Sequence, residues 1–228
     1  MRLHSLCIAA ALVAVAASAH AAAPDLDAIV TYQTRQVSAS GVTRTETWQE
    51  RLIRRGDTVW TERVLPGRAA ALHAQESARE HAGHKHFDFD SAARLLQRDA
   101  DGQLRLRYVD REHRVVVSVP KAEFGAVGFD GRWDAAAYIV PPTLVERMSS
   151  AGVGGAKTGW RSENANGWSH RVQWSEARQV ALRVESRRAD GSTRRVVSVV
   201  PAMTVVAGAL PWNRIVGYVE KDYDDFMD

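Results

Sequence analysis

Cysteine is almost absent: the chain of 228 residues has one, Cys7. A disulfide framework and any cysteine-ligated zinc or iron–sulfur centre are therefore excluded within it. Long apolar runs are equally scarce. The single one, Leu6 to Ala17, is shorter than the roughly 20 residues that cross a bilayer, so the sequence does not read as an integral membrane protein. Motifs of common enzymes are missing too. No Gly-x-Ser-x-Gly elbow occurs, no glycine-rich phosphate loop precedes a lysine, and Gly125, Gly128 and Gly131 lack the spacing of a dinucleotide site. Nor does one sign of charge dominate, with 30 Lys+Arg against 27 Asp+Glu and a formal net charge of +3. Arginines alternate with apolar residues, as at Arg105/Arg107 and Arg183/Arg187, which is the pattern of solvated strand faces and no nucleic-acid patch.

What is present starts with a secretory signal. Arg2 gives a basic start, the apolar run follows, and Ala17-Ser18-Ala19 or Ala19-His20-Ala21 offers the small-x-small cleavage pattern. Residues 1–21 are expected to be removed with Cys7 among them, leaving a thiol-free chain in a bacterial periplasm. Hydrophobic residues make up 45% and charged residues 25%, which suits one ordinary domain, expected over 22–219. Residues 220–228 hold five acids and only Lys221 and read as an acidic C-terminal tail.

From Ala28 to Leu65, Val30, Tyr32 and Thr34 alternate with polar residues, predicting β-hairpins with turns at Ser38–Gly41 and Arg55–Asp57. Helix formers over residues 68–81 and over Ser91–Gln97, the latter after an N-capping Asp90, predict two short helices. Leu104–Tyr108 and Val115–Val119 predict another hairpin. Lys121–Val140 reads as loop with a short strand near Tyr138, and Pro142–Met148 as a third helix. Strand patterns return at Trp160, Trp168–Trp174, Val180–Val184 and Val197–Val199, and Tyr218–Met227 reads as a short helix or an extended tail. Helices inserted between blocks of hairpins point to an α+β fold: a single large curved antiparallel sheet covered by about three short helices.

That layout resembles the periplasmic LolA, LolB and MucB-like superfamily. A local echo is the run from Trp174 to Ser186, followed by Arg187 to Val197 with its Ala-Asp-Gly-Ser turn. The resemblance implies an unclosed β-barrel with covering helices, a concave face that receives an apolar or lipid-like ligand, and no catalytic residue. It implies an exported binding or carrier protein, acting on such a ligand or with a periplasmic protein partner.

One constellation stands apart from the superfamily. His73, His81, His84 and His86 fall within 14 residues, a density that suits zinc or copper, whose commonest protein ligand is imidazole. A helix through this region gathers His73, His81 and His84 with Glu80 on one arc, whereas a strand pairs His84 with His86. The alternative function is thus a periplasmic metal-binding accessory protein using the insert 73–90. Catalysis has thinner support, since Asp130, Asp134 and His113 are isolated polar residues on loops. The seven tryptophans read as sheet core at Trp48, Trp60, Trp160, Trp168 and Trp174, or as the lining of an apolar pocket. Trp133 and Trp212 read as loop residues.

Overall fold

The computed structural model describes residues 23–65, 87–150 and 159–226. Its centre is one sheet of twelve strands: β1 (Leu26–Val37), β2 (Thr43–Arg55), β3 (Thr58–Arg63), β4 (Ala93–Arg98), β5 (Leu104–Asp110), β6 (Val115–Val119), β7 (Ser149–Ser150), β8 (Trp160–Ala165), β9 (Trp168–Ser175), β10 (Val180–Arg188), β11 (Thr193–Pro201) and β12 (Val219–Asp222). Their lateral order is β12-β6-β5-β4-β3-β2-β1-β11-β10-β9-β8-β7. One meander runs β1 to β6, a second β7 to β11, and the pairing of β1 with β11 joins them. Every pair is antiparallel except β12 on β6. Strands β12 and β7 are the two edges, so the sheet is not closed. Among the described residues there are two α-helices, α1 (Trp133–Tyr138) and α2 (Pro142–Arg147).

The hairpins and turns of residues 28–65 and the strands of 104–119 stand where alternation and glycine put them. The third helix expected, over Pro142–Met148, is α2, with Pro142 in its first turn. Two expectations fail. Ser91–Gln97 is not helical but holds β4, because Leu95 and Leu96, 0% and 1% exposed, bury on opposite faces of the sheet between β3 and β5. Segment 121–140 has no strand near Tyr138. Instead it forms a 3-10 turn at Lys121–Glu123 and then α1, whose Ala137 is sealed in the core. The acidic end pairs with β6 as β12 before a final 3-10 turn at Tyr223–Phe226. The expected signal peptide and the helix expected over 68–81 lie outside the described residues.

Alternation gives the sheet two differently covered faces. On the inner face Leu26, Ala28 and Val30 of β1, Leu52 of β2, Val59 of β3 and Leu106 of β5 form one cluster with Phe124, Phe129 and Trp133 from the segment before and in α1. At its far end Val140, Val145 and Met148 around α2 cover Val172 and Trp174 of β9, and Tyr138 and Ile139 pack against both groups. Gly159 enters β8 at φ +61, with Trp174 O only 2.6 Å from where a Cβ would lie, so no other residue fits there. On the outer face Ile53, Trp60, Leu95, Val109 and Val116 are covered by Val205, Leu210, Trp212 and Ile215.

The sheet curls toward its inner face, and Arg54 on β2 shows it. Its guanidinium donates to Arg178 O at 2.7 Å and Gln179 O at 2.9 Å, in the turn between β9 and β10. In sheet order β10 lies three strands from β2, roughly 14 Å across a flat sheet. Side chain and turn meet only because the sheet bends.

Candidate ligand-binding site

The concave inner face divides along the strand direction. Its lower part is filled by Phe124, Phe129 and Trp133. Toward the hairpin ends of β1, β2 and β11 no described element lies over it. There Tyr32, Thr34, Trp48 and Arg195 line an open depression of about 330 Å³ with Gln36, Glu46 and Val197. Register places Tyr32 opposite both Trp48 of β2 and Val197 of β11. The Tyr32 and Trp48 rings stack with centroids 5.0 Å apart and planes within 13°, and the Arg63 guanidinium lies 5.5 Å above the Trp48 ring. Half-buried aromatics stacked against each other, with no described element over them, form an apolar platform edged by cations.

A polar band separates platform from core. The Tyr32 phenol, pushed above its ordinary range first by burial and then by the Glu50 carboxylate, stays neutral and hydrogen-bonds Glu50; Arg94 pulls the other way. Burial likewise raises Tyr108, which is hydrogen-bonded by Arg94 in opposition and donates its own hydroxyl to Val127 O at 3.1 Å. Arg94 itself sits 5.8 Å over the Phe129 ring. The band can hold one polar group at the inner end of a molecule lying on the platform. A second opening, of about 340 Å³, lies between the β8–β9 and β10–β11 turns beside Asn166, Trp168 and Arg188.

The tryptophans separate by role. Trp60, Trp174 and Trp133 are buried, so Trp133 is a core residue on α1 and not a loop contact. Trp212 packs against the outer cluster. Trp48, Trp160 and Trp168 are only half-buried and belong to open surface. No residue pattern in the sequence marks Trp48 off from Trp60. What distinguishes them is that a covering segment passes over one face at Trp60 and none of the described residues passes over Trp48.

His73, His81, His84 and His86 lie outside the described residues. Among the described residues no group of three His, Asp or Glu side chains is placed to hold a metal ion. Of the histidines that are described, His113 contacts Asp110 Oδ2 at 2.6 Å on the β5–β6 turn, and His170 Nδ1 lies 2.9 Å from Ser186 Oγ. Burial opposes ionisation of Asp130, but side-chain and backbone hydrogen bonds from Arg132 outweigh it and hold the carboxyl below its usual range. No described helix is long and apolar enough to cross a membrane.

No family model matches the chain, and no curated protein matches it. Among similar solved structures, PNGF-II aligns over 88% of this chain at 11% identity and a TM-score of 0.37; the chain spans about a third of it, 33%. A domain described as an outer membrane lipoprotein-sorting protein, from Vibrio parahaemolyticus, aligns over 83% of this chain and 91% of its own at 12% identity and a TM-score of 0.32. A LolA superfamily protein from Nitrosomonas europaea aligns over 80% and 89%, at 8% identity and a TM-score of 0.28.

Proposed function

We propose that the chain is an exported periplasmic binding or carrier protein, non-catalytic, whose ligand is apolar or lipid-like and lies on the open part of the concave face. The observation that carries this reading is the Tyr32–Trp48 platform with Val197 beside it, half-buried and, among the described residues, left open by the short helices that cover the rest of the face. Stacked aromatics there supply apolar area, and the arginines at the rim suit a ligand with a polar end.

The test is a titration of the purified chain with a fluorescent long-chain fatty acid. Saturable binding is expected, weakened at least about tenfold by Trp48→Ala, since removing a large apolar contact costs more than the roughly 1.4 kcal/mol that a factor of ten represents. Trp212→Ala, on the other face, leaves binding unchanged. Absence of saturable binding, or equal binding by the Trp48→Ala protein, overturns the reading.

A further inference from the structure

The outer face is covered by residues 205–218 over β2 to β6, with Val205 reaching Asp27 at the start of β1. Across β1, β11 and β10 it carries a row of like charges. Register places Arg35 opposite Arg194 and Arg194 opposite Arg187, on the same side of the sheet, with Cβ spacings of about 5 Å. All three side chains are exposed. Among the described residues none of the three forms an ion pair or a side-chain hydrogen bond. Arg183 and Arg171 extend the same face; Asp27, at the far end of β1, is taken by Arg55, and Glu185 is engaged by Arg183 at 2.7 Å, with Arg171 and Arg194 adding their attraction. Directly opposed like charges weaken a sheet, so a merely solvated face gains nothing from this row.

We propose that this convex arginine face seats the protein on an anionic bilayer surface. A row of guanidinium forks on one face matches lipid phosphates. Trp160, with Arg171 4.7 Å over its ring, and Val200, 61% exposed, lie on the same face, and Val42, 66% exposed, lies in the β1–β2 turn beside it. Interfacial aromatic and apolar residues among cations favour the boundary of a bilayer over a soluble polyanion. The inference uses the face opposite the ligand platform and stands whether or not a ligand binds there.

Co-sedimentation of the purified chain with vesicles tests it. Binding is expected to vesicles of two parts phosphatidylcholine to one part phosphatidylglycerol, not to phosphatidylcholine alone, and to fall with added salt. Replacing Arg35, Arg187 and Arg194 together by Gln weakens it on the order of 100-fold, and leaves the thermal midpoint equal or higher because a repulsion is removed. Arg194→Gln alone weakens it about fivefold, which serves if the triple variant does not fold. Neutralising three exposed arginines elsewhere, Arg105, Arg147 and Arg214, has little effect. Equal binding to neutral vesicles, no binding to mixed vesicles, equal loss in the control variant, or capture of polyglutamate without vesicle binding each overturns the proposal.

Discussion

At the scale of single residues, Arg54 holds together what the chain spaces far apart. It is 0% exposed, and its guanidinium donates to Pro24 O, Ala137 O, Arg178 O and Gln179 O at 2.6 to 3.1 Å while stacking 5.1 Å from the Tyr138 ring centroid. Burial presses its pKa below the usual arginine value; the Tyr138 and Asp25 side chains oppose that. Four carbonyls from three places in the sequence share one cation, which fixes the start of β1, the end of α1 and the β9–β10 turn around it. Arg54→Met is expected to lower unfolding free energy in urea by about 3–5 kcal/mol, because it strands those buried acceptors. Arg54→Lys does not restore it, since one ammonium cannot serve four divergent carbonyls. A loss under about 1 kcal/mol would show that water replaces the guanidinium without cost. Nothing in the sequence separates Arg54 from the other 25 arginines.

At the scale of elements, β4 shows where local preference yields. Its residues favour a helix, and Asp88, whose Oδ1 accepts from the backbone N–H of Asp90 and Ser91, turns the chain into it. Strand pairing on both sides overrides that preference, giving Leu95 to the Trp60 cluster and Leu96 to the Tyr108 cluster. Leu95→Ala and Leu96→Ala are each expected to cost about 2–5 kcal/mol. Their effects add within about 0.5 kcal/mol in a double-mutant cycle, as the two side chains lose contacts on opposite faces. A large coupling would mean that both side chains share one core, as on a helix. In the opposite sense, α1 was obscured by the glycines before it. Trp133, Ala135, Ala136 and Ala137 suffice for one and a half turns once the inner face is there to pack against, and Ile139 at φ 68 ends them.

At the scale of the whole molecule, the last residues return to the first meander. β12 lies parallel to β6, Tyr223 is 5% exposed in the inner cluster 5.6 Å from the Phe89 ring, and Phe226 meets Phe87 at 5.3 Å. The acids around them serve an edge strand, where charge discourages pairing with another sheet. Tyr223→Ala is expected to destabilise the protein by about 3–5 kcal/mol and to speed amide exchange in β6 before β9 and β10. Unchanged exchange in β6 would mean that the C-terminal turn is a passive end.

The sequence by itself determined the alternating strands, their turns, the exclusion of an internal disulfide and the location of the histidine cluster, because each is a local property of residue order or composition. Only the tertiary structure decided that β4 is a strand, that Trp48 is open while Trp60 is sealed, that Arg35, Arg194 and Arg187 stand side by side, and that Arg54 joins distant carbonyls. Each of these depends on which strands become neighbours and which face a later segment crosses, and those distances are set by pairing across the sheet, not by spacing along the chain.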